Sequence, residues 1–340
     1  MALSPLGRAV ARSFDKIAPL SLAESWDNVG WLLQAARPRT GRPGRTVVLT
    51  IDLTTAVYRN LPEDTGIVVA YHPTLFSSIK QIGIGNNALQ ASILGLARDG
   101  ISLYSPHTCL DAAVGGINTW LASAFDNVSD AKVCRPVANP PAHHEGAGLG
   151  KQVQLSSDVE LDEAVKRIKS HLNLKTVMLA RSDQPRSQRV RSIAICAGSG
   201  GSVIGNADAD LLWTGEMSHH EILAATARGT HVVLCNHSNT ERGYLHTLKR
   251  KLEEELSTDP QAESEAWRVI IAQEDRDPLD DEAASQNTFS VVSLRCCSGA
   301  QSSFVDEPRH KDKSAWGARV SLEYFEATSV IGKTAARSRT

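Results

Sequence analysis

Apolar and polar positions alternate in short blocks along the first third of the chain. Residues 46–52 (TVVLTID), 66–70 (GIVVA) and 101–104 (ISLY) are apolar, rich in β-branched side chains and bounded by turn residues, the pattern of buried strands. Between and after them, residues 87–98 and 111–125 carry apolar side chains at helical spacing. The alternation predicts a parallel or mixed sheet with helices on its faces. Residues 1–20, with Arg8, Arg12 and Lys16 but no long apolar core, read as a first helix rather than a secretion signal.

The pattern breaks at residues 134–150 (CRPVANPPAHHEGAGLG), whose prolines and glycines predict a domain boundary or an exposed loop. A helix follows over 161–171, with Leu161, Ala164, Val165, Ile168 and Leu172 along one stripe. Strands are then expected at 176–180, 192–196, 209–213, 231–235 and 267–273, and helices at 218–228 and 240–256. Beyond Pro278 the chain turns polar. Two strand-like stretches, 289–294 and 318–324, interrupt a tail that reads as peripheral or partly disordered.

Length and charge narrow the function. A chain of 340 residues is long enough for two domains, each with its own core. A net charge of −2 offers no basic face, so direct nucleic-acid binding is not indicated. No apolar run approaches the roughly 18–20 residues that span a bilayer, which predicts a soluble, cytoplasmic protein. A mitochondrial or nuclear location is the alternative, the former because the start is basic and poor in acids. Cys109, Cys134, Cys196, Cys235, Cys296 and Cys297 form no C-x-x-C pair and read as reduced thiols, against a cysteine-ligated zinc site.

In open α/β sheets, ligands gather beyond the carboxyl ends of the strands. Here GIVVA runs into Tyr71-His72-Pro73, ISLY into a segment holding His107 and Asp111, and HVVLC into Asn236-His237-Ser238-Asn239-Thr240-Glu241. His237 and Glu241 stand four apart at an expected helix start, so one face can present both. An imidazole with a carboxylate suits Zn, Mn or Fe. Each residue also has an ordinary role: a hydrogen-bonded His at a strand end, Asp111 as N-cap, Glu241 as a first-turn acid. The constellation carries the metal reading.

Five motifs occur in order: Trp26-Asp27-Asn28-Val29-Gly30, Tyr71-His72-Pro73, His107-Thr108-x-Leu110-Asp111, Thr214-Gly215-Glu216-x-Ser218-His219-His220 and His237-Ser238-Asn239-Thr240-Glu241-Arg242-Gly243. Together they resemble the Nif-three-like proteins, a dinuclear metal-binding family whose members often carry the label GTP cyclohydrolase I type-two homologue. The resemblance runs from about Leu6 to Pro278. It implies two related α/β domains with mixed sheets flanked by helices, the second inserted in the first. On that scheme residues 1–133 form the first half of the metal-binding domain and 134–190 an inserted middle region. Residues 191–278 complete the fold and supply His237 and Glu241, and 279–340 are the tail. The resemblance also implies a ring-shaped homo-oligomer, a hexamer in many members.

Carried over by motif, His72, Asp111, His237 and Glu241 match metal ligands for one or two divalent ions per subunit, with Tyr71, His107 and His220 around them. The family's first motif often has two consecutive histidines. Tyr71 takes the place of the first, which removes one imidazole from a second ion. The function this implies is a metal-dependent hydrolase with Asp111 as the bridging carboxylate; no residue is singled out as general base. The alternative is a ring-shaped interaction scaffold or transcriptional co-regulator partner with a structural metal. Metal storage is a third reading.

Other signals read as structural. The turn Gly198-Ser199-Gly200-Gly201-Ser202 lacks the P-loop lysine and reads as a tight strand-to-helix connection. His219-His220-Glu221 lacks the second His of a zincin helix. His143-His144-Glu145 reads as solvated, and Trp26 as a core anchor rather than a base-stacking platform.

Overall fold

The computed structural model describes residues 3–35, 44–85, 87–260 and 266–279; the stretches 289–294 and 318–324, with Cys296 and Cys297, lie outside the described residues. Among those residues the chain builds two mixed sheets flanked by helices. The first runs in the order β1 (Gly30–Leu33), β4 (Ser102–Ser105), β3 (Thr65–Ala70), β2 (Thr46–Thr50) and β11 (Arg268–Ile271). Its strands are parallel except β1, which pairs antiparallel with β4 at the edge.

Every residue of β2 is buried, because helices cover both faces of this sheet. Successive side chains go to opposite faces. Val47 and Leu49 pack with Val10 and Phe14 of α1 (Pro5–Ile17) and with Leu248 and Leu252 of α9 (Leu245–Ser257). Val48 packs on the other side with Val57 of α2 (Thr55–Arg59) and Ile93 and Leu96 of α3 (Ala88–Asp99). Caps set the helix ends: the Ser4 hydroxyl accepts from Gly7 N at 3.0 Å, and Gly100 closes α3 at φ 71°.

The second sheet has the order β5 (Val128–Pro136), β6 (Gly148–Val159), β8 (Val190–Ser199), β9 (Leu211–Glu216), β10 (His231–Leu234) and β7 (Met178–Ala180). Only β8, β9 and β10 pair in parallel. Helix α6 (Leu161–Leu172) lays Leu161, Ala164 and Ile168 on one face; α7 (Gly201–Ile204) and α8 (His219–Ala227) cover the other. Because β11 joins the first sheet only after β5–β10 have been laid down, the second sheet is a sequence insertion within the first. Short helices α4 (His107–Ala112) and α5 (Ile117–Ala122) lead from one to the other. Asn118 ties the junction, donating to Asp111 O at 3.0 Å and accepting from Ala197 N at 2.9 Å.

The structure departs from expectation where the periodicity is weak. Only the ends of 134–150 are strand: 134–136 close β5 and 148–150 open β6, the two pairing antiparallel, while 137–147 form the connecting loop. Edge strand β5 is mostly exposed and charged, so it lacks the apolar signature of a strand. The helix expected over 111–125 is two short ones, broken at Gly115–Gly116. His144 is buried, accepting from Val114 N through Nδ1 and facing Lys16 O through Nε2 at 3.0 Å. No helix among the described residues is long and apolar enough to cross a membrane.

Leu252 is fully buried on the face of α9 that meets the first sheet. Leu252→Ala is predicted to destabilise the chain by about 2–5 kcal/mol. Chemical denaturation checks this; an unchanged midpoint would contradict the packing described.

Candidate metal centre

Six strands end at one place. Asp52 follows β2, His72 follows β3, His107 follows β4, Gly198 lies near the end of β8, Glu216 ends β9, and His237 follows β10. The convergence sets two imidazoles against one buried carboxylate. Nε2 of His72 is 3.4 Å from Glu241 Oε2, and Nε2 of His237 is 3.3 Å from Glu241 Oε1. The three residues can each offer a donor atom within 4.8 Å of the others.

Each imidazole is fixed from behind. His72 Nδ1 lies 3.0 Å from Asp52 Oδ1, and His237 Nδ1 lies 2.9 Å from Glu216 Oε2. A carboxylate at Nδ1 holds a proton there and aims Nε2 inward, the arrangement that orients metal-ligating histidines. His107 repeats it, with Nδ1 2.8 Å from Asp27 Oδ1.

Local backbone conformation makes the approach possible. Residues 238–240 and 242–244 form two 3-10 turns before α9, not the single helix expected over 240–256. Asn236 sits at φ 64°, a left-handed position that asparagine tolerates, and throws His237 toward the cavity. Gly198, at φ 60°, leaves the space the donors occupy: a Cβ there would lie 2.7 Å from Glu241 Oε1 and 2.9 Å from His237 Nε2. A Cβ on Gly215 would strike Asn236 O at 2.8 Å.

The electrostatics follow from this geometry. Burial lowers the His72 pKa, but hydrogen bonds and charge from Asp52 and Glu241 outweigh it and bring it up to about 10. Burial pushes the Asp52 carboxyl up, and the His72 contact pulls it below its ordinary value. Asp111 is raised to about 6, mainly by burial. Tyr71 donates to Asp111 Oδ1 at 2.7 Å, and burial followed by the Asp111 charge holds its phenol well above 10.

Of the seven sequence-derived residues, His72, His237 and Glu241 come together. Asp111 and His107 line the same cavity, but Asp111 is engaged by Tyr71 and stands outside the three-donor group. His220 does not reach it: Ser218 and Glu221 form a capping box that starts α8, and His220 sits exposed in its first turn against His219. The carboxylates that orient the imidazoles, Asp52, Asp27 and Glu216, are additions from the structure. Asp27 and Glu216 lie inside quoted motifs, and Asp52 ends a strand, a position that could have marked it. Trp26 is a correction too: at 57% exposed it is no core anchor.

The donor set fits a cation. Nε2 of His72 and Oε2 of Glu241 are buried and face each other at 3.4 Å, and among the described residues neither has any other hydrogen-bond partner. Two ligands on a tetrahedral ion at about 2.0–2.1 Å would lie roughly 3.3 Å apart. Protein of this kind, an α/β fold with a histidine–carboxylate donor cluster at the carboxyl ends of its strands, defines a candidate metal-binding class.

The comparisons define it further. Residues 6–278 match the model of the family Duf34/NIF3 (NGG1p interacting factor 3), and the chain belongs to that family. It is 42% identical over 261 residues to the protein NIF3 homolog of Schizosaccharomyces pombe, covering 76% of this chain and 91% of that one. To NIF3-like protein 1 of Drosophila melanogaster it is 37% identical over 272 residues, 80% of this chain and 87% of the relative. A crystal structure of a Bacillus cereus protein related to NIF3 shares the fold at TM-score 0.69 and 19% identity, over 81% of this chain and 99% of that one. Reduced HcgD from Methanocaldococcus jannaschii shares it at TM-score 0.61 and 21% identity, over 78% and 97%.

The pKa of His72 has a consequence for stability. A base raised in the folded state stabilises fully below its unfolded pKa of 6.5 and loses that contribution as pH rises through about 10. The metal-free chain is therefore predicted to lose stability between pH 6.5 and 10, and Asp52→Asn to flatten that loss. Urea unfolding across the range checks it; identical slopes in wild type and variant would contradict the pairing.

Proposed function

We propose that this chain is a divalent-metal-dependent hydrolase, with one ion held by His72, His237 and Glu241. The carrying observation is the pair of imidazoles, each backed by a carboxylate at Nδ1 and aimed by Nε2 at one buried carboxylate. The mixed nitrogen and oxygen donors suit Zn, Mn or Fe. When bound, such an ion supplies Lewis acidity to a polar substrate atom and acidifies water.

The chain's own residues orient and restrict. Asp52 and Glu216 keep both imidazoles in the inward-facing tautomer. Tyr71 occupies Asp111 Oδ1, so a second cation taking that oxygen would first displace a phenol donor held above its usual pKa. This supports one ion rather than two, with Asp111 as a wall of the reaction cavity rather than a bridge.

A second reading, a ring-shaped homo-oligomeric scaffold with protein partners in transcription, is supported by Ile79, Ile82 and Ile84, which are exposed between β3 and α3. The relative from Saccharomyces cerevisiae is named NGG1-interacting factor 3. In that reading the metal is structural, and a hexamer in the cytoplasm or nucleus would be its working form.

Elemental analysis of the purified chain is predicted to give one first-row ion per subunit. His237→Ala should lose it together with phosphoester turnover, and Tyr71→His should raise the content toward two. Turnover that survives loss of the ion, or two ions in the wild type, would sink this assignment. Loss of the oligomer with the ion, without turnover in wild type, would favour the scaffold.

A further inference from the structure

Trp26 presents a physical problem that the metal centre does not solve. A tryptophan buries more apolar area than any other side chain when covered, yet this one is 57% exposed. Beside it Phe76 is 55% exposed, with the ring centroids 5.9 Å apart in an edge-on arrangement. Neither ring belongs to a buried cluster.

The exposure is built rather than loose. The next residue, Asp27, has a fully buried side chain. It accepts from the Thr108 amide at 3.2 Å and the Thr108 hydroxyl at 2.5 Å, and it faces His107 Nδ1 at 2.8 Å. The turn that carries Trp26 is thereby riveted to the start of α4. Asn28 donates its side-chain amide to Leu75 O, which draws the Phe76 segment against the same turn. Two separate pieces of chain are thus pinned so that an indole and a phenyl ring stand together in the open.

What they face is the metal centre. Trp26 and Phe76 line one cavity, of about 260 Å³, together with His107, Arg135, His237 and Glu241. The Trp26 ring is 6.1 Å from the His107 ring, and the His107 ring is 5.5 Å from that of His72. Along that wall the surface changes from aromatic, through imidazole, to the donor cluster. Arg135 adds a cationic group, 47% exposed and paired with Glu24.

We propose that Trp26 is a stacking platform for a planar ring of the substrate, with Phe76 closing one side edge-on, and that the anionic group of that substrate reaches the donor cluster and Arg135. The substrate class is then a ring-bearing anion, such as an aryl or nucleoside phosphate, rather than an aliphatic one. The proposal rests on the reading of this cavity as the substrate site. It does not depend on how many ions the cavity holds.

The test compares probes that differ only in the ring. Adenosine monophosphate and ribose 5-phosphate are titrated against the metal-loaded full chain, following tryptophan fluorescence and calorimetric heat. Wild type is expected to bind the nucleotide about tenfold more tightly, the size of one base–aromatic stack. Trp26→Ala should abolish that preference and leave ribose 5-phosphate binding and metal content unchanged, while Trp26→Phe should keep most of it.

Equal affinity of the two probes for wild type, an undiminished preference in Trp26→Ala, or no binding of either probe overturns the platform. His237→Ala separates this result from the metal assignment. If it weakens both probes equally, the ion binds the shared phosphate and both readings stand. If it changes neither probe while the nucleotide preference persists, the metal reading fails and the platform survives.

Discussion

A buried carboxylate facing two imidazole nitrogens is costly unless something shares its charge, and this arrangement governs the rest of the structure. Glu241 is almost wholly enclosed, and its side chain has His72 on one oxygen and His237 on the other. Protons can supply the compensation in the metal-free chain, and a divalent cation can supply it in place of protons. Both solutions require Nε2 of each imidazole to be aimed at Glu241, which is the work of Asp52 and Glu216. Those carboxylates have to be delivered by strand ends from two different sheets. The insertion of one sheet within the other makes that delivery possible.

Several features read as irregular in isolation become necessary in this light. The left-handed Asn236, the paired 3-10 turns before α9 and the absence of side chains at Gly198 and Gly215 all serve one close approach of backbone to donor atoms. Regular helix at 238–244 would have carried the His237–Glu241 pair on an ordinary surface. Local strain near a site of this kind is what a packed scaffold can sustain and an isolated segment would not.

The buried parallel strands were legible from the sequence because their both-sided burial writes continuous β-branched runs: β2, β3 and β10 fall within a residue or two of their expected places. Strand β5 was not legible, since an exposed edge such as Asp130–Lys132 follows solvent rather than core. His72, His237 and Glu241 could be picked out at strand exits. Their orienting acids could not be ranked, because a carboxylate acting through a neighbouring imidazole has no spacing signature within its own segment. Trp26 is illegible for a related reason: a large ring signals a core by default, and only the buried bonds of Asp27 reveal that it is held outward. Motif position likewise does not show that His220 lies exposed in the first turn of α8, behind the Ser218–Glu221 capping box.

X-ray absorption at the metal edge of the loaded chain addresses the central claim most directly. The account predicts a spectrum with two imidazole nitrogens and at least one carboxylate oxygen around a single ion, the imidazole multiple scattering falling by half in His72→Ala. A shell without imidazole scattering, or one unaffected by that substitution, would contradict it.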